Sequence, residues 1–360
     1  MKFRSFAVPL LALLGAVLVA PGHAYECQPA GDAAPARAPR VLAPTSAAEP
    51  APPVPGAISI AMLPDVQYYT LCRNPHLQAQ LEWIEAEAGQ RDIRATLFMG
   101  DLTEHNSQEQ WAWFRQRIES AANRVPIMLA TGNHDYGRNG NTHLRRTMFA
   151  RFFPKPPGVA ASLLADRRRA SIANAYYRIA LPRVTLGVLV LEWAPRASTV
   201  RWANAVLGRH PQDRVIVVTH AYLYNDSTRY DWHARGKEQL WNPLWYDMNW
   251  YEQLYDREHD GEMLWNALVR RHPGIFLVLS GHVGGSGTGR LASRGDDGNL
   301  VQQVLGNFQL LDEGGLGYLR LFEIQPDGRS MRMKTYSPSL ARFAVADDQQ
   351  ATLAIEPALW

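Results

Sequence analysis

The chain has 360 residues, 46% of them hydrophobic and 20% charged, with a formal net charge of +3. A chain of that length and apolar content can bury a large core, enough for one catalytic domain with appendages. The near-neutral balance gives no electrostatic reason to expect nucleic acid or an anionic membrane as a partner.

Lys2 and Arg4 precede an apolar stretch from Phe6 to Ala20, and Gly22-His23-Ala24 marks a cleavage point, which predicts a signal peptide over residues 1–24. As a membrane span the stretch is short and lacks a stop-transfer flank, so the expectation is a periplasmic or secreted protein without a membrane anchor. Removing the segment takes the charge to about +1. Cys27 lacks a lipobox-like sequence before it, which argues against a lipid anchor. With Cys72 it forms a candidate disulfide from the amino-terminal tail to the loop after the first strand, two unpaired thiols being the alternative. Residues 25–56, rich in Ala and Pro, read as an extended linker. A domain over 57–345 follows, and residues 346–360 read as a C-terminal tail.

Within the domain, Ile58 to Leu63 is a buried strand ending at Pro64-Asp65-Val66-Gln67. Leu77, Leu81, Ile84 and Ala88 recur at helical spacing, predicting a helix from about Pro75 to Gln90. Thr96 to Met99 is the second strand, closed by Gly100-Asp101-Leu102-Thr103-Glu104. Ser107 is an N-cap for a helix whose apolar face holds Trp111, Phe114 and Ile118. The third strand lies in Val125 to Ala130, before Thr131-Gly132-Asn133-His134-Asp135. This alternation argues for parallel crossovers. After an Arg-rich stretch over 137–170, expected as short helices and loops, Ala175–Ile179 and Val184–Leu191 read as antiparallel strands of a second sheet. A helix over about 198–207 leads to a strand, Val215 to Thr219, ending at His220. Residues 222–255 are crowded with Tyr and Trp and read either as a long functional lid or as aromatic packing over the sheet edges. A helix near 262–270 precedes Ile275 to Leu279 and then Ser280-Gly281-His282. Three further strands are expected near Val301, Leu319 and Met331.

Five apolar runs thus end in Asp65 with Gln67, in Asp101, in Asn133-His134, in His220 and in His282. Polar side chains thrown off the ends of buried strands converge at one crevice, which points to a single metal site assembled from distant segments. Two divalent cations about 3.5–4 Å apart can polarise a phosphoryl oxygen and generate a hydroxide at neutral pH. Asp101 is the natural bridge between them, His220 and His282 suit a borderline metal, and Asn133 adds a neutral oxygen. His134 would be free to act on a phosphate or leaving group, with Asp135 as the carboxylate that orients it. Glu104 reads as a capping or solvated carboxylate as readily as a site group. No Gly-x-Ser-x-Gly, Walker-type or Cys-x-x-Cys pattern is present.

In order, Asp65-Val66-Gln67, Gly100-Asp101, Gly132-Asn133-His134-Asp135, His220 and Gly281-His282-Val283-Gly284 resemble the five blocks of the calcineurin-like metallophosphoesterases, relatives of the purple acid phosphatases. The resemblance implies an α/β four-layer sandwich of two mixed β-sheets flanked by helices. It also implies hydrolysis of a phosphomonoester or phosphodiester by a metal-bound hydroxide. One metal would take Asp101, Asn133, His220 and His282; the other would take Asp65, Asp101 and position 67, where Gln67 reads as readily as a hydrogen-bond donor beside the site as a ligand. The family's first block normally ends in His where this chain has Gln67, and its last block carries a second His where this chain has Gly284. Both departures fall on the Asp65 metal and leave an oxygen-rich site suited to Mg, Mn or Ca more than Zn. The expected cofactor is one or two divalent ions, among Mn, Fe, Zn, Mg and Ca. The expected partner is a small-molecule or glycan-linked phosphate ester. The alternative is a degenerate, non-catalytic metal-containing protein that binds a glycan or phosphorylated ligand.

Overall fold

Burial on both faces explains why the sheet centres are so apolar. All six residues of Ile58–Leu63 are buried, as are all six of Ile275–Ser280, because layers cover the sheets on each side. The computed structural model describes Cys27, Leu42, Thr45–Ser46, residues 51–246 and residues 255–360. The expected signal peptide lies outside the described residues, as do Trp250 and Tyr251 of the aromatic stretch.

One sheet holds β1 (Thr45–Ser46), β2 (Ile58–Leu63), β3 (Ile93–Phe98) and β4 (Ile127–Leu129) with four late strands. Those are β12 (Leu319–Ile324), β13 (Ser330–Ser337), β14 (Arg342–Ala344) and β15 (Ala351–Ala354). The other sheet holds β5 (Leu164–Arg167), β6 (Ala175–Ala180), β7 (Thr185–Val190) and β8 (Arg214–Val218). Its remaining strands are β9 (Ile275–Ser280), β10 (Thr288–Arg294) and β11 (Leu300–Gly306). The spatial orders are β1-β14-β13-β12-β2-β3-β4, with β15 on β13, and β10-β11-β9-β8-β7-β6-β5. Strands β2, β3 and β4 are mutually parallel, and so are β7, β8, β9 and β11, while the flanks run antiparallel. Both sheets are therefore mixed and flanked by helices, as expected.

Side-chain alternation divides the layers. Ile216, Val218, Leu277 and Leu279 join the core that also takes in β2, β3 and the helices His76–Glu87 and Gln108–Ala121. Val215, Val217 and Val278 face the other way, against Val200, Val206 and Leu264 of the helices Ala197–Arg209 and Gly261–Ala267. A fully buried arginine ties the sheets: Arg320 on β12 donates to the Leu305 carbonyl on β11 at 2.6 Å and to Thr288 Oγ1 at 2.7 Å. Burial pushes its guanidinium down to about 9.

Ser107 caps Gln108–Ala121 as expected, accepting from Gln110 N. Trp111 of that helix sits among Phe114, Phe149 and Phe153 and donates through Nε1 to Asn106 Oδ1 at 2.7 Å. This pins the loop that carries Glu104; replacing Trp111 by Ala would cost about 3–5 kcal/mol.

Three expectations change. Residues 346–360 are not a tail beyond the domain: Ala351–Ala354 pairs with β13, and Leu353, Ile355 and Leu359 are buried. Within the expected linker, Thr45–Ser46 pairs with β14. Strands β5, β10, β14 and β15 also lie outside the predicted set. Their sequences, such as Thr288-Gly289-Arg290-Leu291-Ala292-Ser293-Arg294, alternate toward solvent at sheet edges and lack the unbroken apolar run of a central strand. A short helix, Gln67–Cys72, follows Asp65, and Cys72 at its end is disulfide-bonded to Cys27.

Candidate metal centre

Three candidate ligands, Asp101, Asn133 and His282, follow a glycine whose backbone comes very close to another ligand. A Cβ on Gly132 would stand 2.1 Å from Asp101 Oδ1, and one on Gly281 would stand 2.1 Å from Asp65 Oδ1. Only glycine fits those positions, which is why an apolar run, a Gly and a ligand recur together. Asp101 and His282 themselves hold left-handed backbone, at φ 49° and 77°, strain of a kind that concentrates at functional sites.

Asp101, His220 and His282 come together, one ligand atom from each lying within 4.8 Å of the others, and all three are buried. His220 Nε2 lies 3.2 Å from Asp101 Oδ2 and 3.2 Å from His282 Nδ1. The opposite ring nitrogens meet backbone carbonyls: His220 Nδ1 lies 2.9 Å from the Met99 oxygen, and His282 Nε2 lies 2.8 Å from the Trp241 oxygen. With protons on those outer nitrogens, two imidazole lone pairs and a carboxylate oxygen face one point. Buried electron-rich atoms in that arrangement need a positive charge between them. Without a cation, a proton on His220 supplies it. Burial depresses that imidazole, but the Asp101 and Asp65 carboxylates outweigh it and lift His220 to about 9. Burial and the neighbouring His220 push His282 down to about 3. Asp101 is driven up by burial but held well below the usual carboxylate range by His220 and His134. Trp193, fully buried, backs both rings with centroids 5.6 Å and 4.9 Å away.

The donor set suits a divalent cation on a second count. Asn133 is buried, and its Oδ1 has no hydrogen-bond partner among the described residues. An unpaired buried amide oxygen costs about 1–3 kcal/mol unless something else engages it.

Asp65 and Gln67 lie alongside. Asp65 accepts from the His282 backbone N–H at 2.9 Å and from Asn307 Nδ2 at 2.8 Å. Burial raises its carboxyl to about 7, His220 notwithstanding. Gln67 is fully buried; its Nε2 donates to Asp101 Oδ2 at 3.3 Å and to Gln309 Oε1, while its own Oε1 has no partner among the described residues.

His134 is tied to the same carboxylate, its backbone N–H donating to Asp101 Oδ1 at 2.9 Å. Its ring corrects the sequence expectation. Asp135 does not orient it, because Asp135 accepts from the backbone N–H groups of Leu102, Thr103 and Gly132 at 2.9–3.1 Å. That carboxylate closes the loop after β3 onto the loop after β4, and burial, with Asp101 nearby, raises it to about 7. The group on the imidazole is Glu104: His134 Nδ1 lies 3.1 Å from its carboxylate Oε2 and 3.0 Å from its carbonyl oxygen. Burial opposes the charge on His134, but Asp101 and Glu104 overcome it and lift the imidazole to about 10. His134 Nε2 lies beside Gly140, whose missing side chain leaves it open.

Sequence reasoning missed Asn307, Gln309 and the roles of Trp193 and Trp241. A signal for the first pair exists: Val304-Leu305-Gly306-Asn307 repeats the apolar run, Gly and polar residue of Met99-Gly100-Asp101. Part of the aromatic stretch packs against the sheet, as one expected reading had it. Tyr222 and Tyr230 are fully buried in the outer core, while Trp241, Trp245 and neighbouring Leu240 are exposed. Where a second histidine is absent, Gly284 packs on Leu310, whose Cδ1 would be 2.3 Å from an added Cβ.

A family model described as calcineurin-like phosphoesterase matches residues 58–300. The chain is 26% identical over 305 residues to an uncharacterised protein, YvnB, of Bacillus subtilis (strain 168), across 80% of this chain and 20% of that protein. It therefore spans about a fifth of that relative's length. Among solved structures it is similar to GAP50, the anchor in the inner membrane complex of Plasmodium, at 11% identity and a TM-score of 0.44 over 84% of this chain and 90% of that one. It is also similar to the NAD nucleotidase NadN of Haemophilus influenzae, at 10% identity and a TM-score of 0.40 over 83% and 50%.

Proposed function

This chain belongs to the calcineurin-like phosphoesterase family, and from that premise we propose that it hydrolyses a phosphomonoester or phosphodiester at the crevice formed by Asp101, Asn133, His220 and His282. The observation that carries this reading is the convergence of Asp101, His220 and His282, with both imidazoles turned by backbone carbonyls so that their lone pairs face one another. Divalent cations held there would polarise the phosphoryl oxygens and acidify a water at neutral pH.

The chain's own residues supply the rest. Asp101 reaches both sides of the crevice, toward His220 and toward Gln67. The His134 ring turns Nδ1 toward Glu104, and Asp101 and Glu104 raise its affinity for a proton against the effect of burial. An imidazolium so placed can donate to a phosphoryl oxygen or to the leaving group's oxygen. Glu104 fixes the ring, and Trp193 walls off the rear of the site so that charges act across a poorly solvated gap. The exposed Leu240, Trp241 and Trp245 support a substrate with an apolar or ring-bearing leaving group, small or glycan-linked.

The Cys27–Cys72 disulfide supports export to an oxidising compartment, periplasmic or extracellular. Among the described residues no helix is long and apolar enough to cross a membrane.

The test is turnover of bis-aryl and mono-aryl phosphates by protein reconstituted in turn with Mn, Mg, Fe, Co, Zn and Ca. Metal-dependent release of the phenol is expected. Silence with every ion, alongside tight metal binding, would favour a non-catalytic binding protein instead.

A further inference from the structure

The second side of the crevice lacks histidine, yet its oxygens are arranged with care. Gln67, buried without exposure, has an Oε1 with no partner among the described residues. Its amide meets two other oxygens, Asp101 Oδ2 and Gln309 Oε1. There the Gln67 N–H group holds the two oxygens as a cation would; half a turn about the terminal amide bond would put Oε1 in its place, three oxygens that a cation would bind. Asp65, across the same crevice, is held by an asparagine that is itself locked. Asn307 Nδ2 donates to Asp65 Oδ2 at 2.8 Å, while its Oδ1 accepts from the Gln309 backbone N–H at 2.9 Å. One short loop after β11 thus orients a carboxylate 242 residues away and presents an amide oxygen to Gln67. Leu310 of the same loop lies against Gly284.

We propose that this loop completes a second cation site, with Gln309 as an oxygen ligand alongside Gln67, Asp65 and Asp101, and Asn307 as the positioning residue for Asp65. Carboxylate and amide oxygens without nitrogen or sulfur select a hard divalent ion, Mn or Mg, over Zn. The site rests on the reading above only through the shared Asp101.

The experiment titrates the metal-free full chain with MnCl₂, MgCl₂ or ZnCl₂ by calorimetry and counts bound metal by elemental analysis after desalting. Two Mn per chain are expected for the natural sequence, and one for Gln309→Leu, with the tighter His-side ion retained. Asn307→Leu should weaken only the second ion, by about 10–100-fold. Gln309→Glu keeps the oxygen and adds charge, so it should hold the second Mn at least tenfold more tightly; it also decides the matter if Gln309→Leu does not fold. Two Mn of unchanged affinity in Gln309→Leu, an unchanged second affinity in Gln309→Glu, or a single ion in the natural sequence overturns the proposal while leaving the His-side centre intact. Binding of no ion at all would overturn both readings together.

Discussion

The two halves of the crevice are built from different chemistry on the same kind of scaffold. On one side, two imidazoles and a carboxylate face one another, each ring turned by a backbone carbonyl and backed by Trp193. On the other, the Gln67 carboxamide meets Gln309 and Asp101, while a third amide, Asn307, holds the Asp65 carboxylate. The contrast shows that a strand end fixes where a ligand stands, while the softness of the site is set by side chains that other loops bring to it. A nitrogen-rich half favours a borderline ion more than an oxygen-rich half does, so on the proposed reading the two halves would differ in the cation they prefer.

The sharpest way to break the comparison is His220→Ala, which removes a ligand from the nitrogen half only. It should abolish the metal-dependent rate, a loss of at least ~10³-fold, while elemental analysis still finds the second ion. Equal loss of both ions would show the halves to be one indivisible site. Next in size is His134→Ala, which belongs to neither half. A rate lower by about 10²–10⁴-fold with unchanged metal content is expected, the range of a general acid. An unchanged rate would remove His134 from the chemistry.

Glu192→Gln probes the wall behind the nitrogen half. Arg145 and Arg196 both pair with the Glu192 carboxylate, and its neighbour Trp193 supports the imidazoles. Burial pushes the Glu192 carboxyl up, but the two guanidinium groups outweigh it and hold it at about 2, below the usual 4.5. A depressed folded-state value means stabilisation that is complete above about pH 4.5 and lost as pH falls toward about 2. The variant should therefore be less stable by about 3–5 kcal/mol at neutral pH. That gap should narrow on acidification, as read from denaturant unfolding at several pH values; a constant gap would count against the pairing. The smallest effect expected is from Gln67→His, which puts nitrogen into the oxygen half. It should shift the second ion's preference toward Zn by about tenfold, measured by competition calorimetry. No shift would mean that position 67 does not reach the ion.

Legibility followed geometry. The runs Ile58 to Leu63, Thr96 to Met99 and Ile275 to Leu279 read as strands because both their faces are buried, whereas β10 and β15 did not because one face meets solvent. His134 was legible as a proton-carrying group, but its partner was not. Asp135 is adjacent in the chain, yet the turn Asn133–Asp135 carries its carboxylate to the Leu102 and Thr103 amides and leaves Glu104 to meet the imidazole.

By itself the sequence determined which elements are buried, and that Asp101, Asn133, His220 and His282 leave the ends of such elements. Buried strands must be apolar, and ligands that crowd the backbone demand glycine beside them, so both facts leave a local imprint. Only the tertiary structure decided which atoms turn the two imidazoles, which carboxylate holds His134 and that Asn307 and Gln309 reach Asp65 and Gln67. Those partners meet through loops, where no periodicity constrains the path, and a hydrogen bond across 242 residues leaves no trace in the residues between.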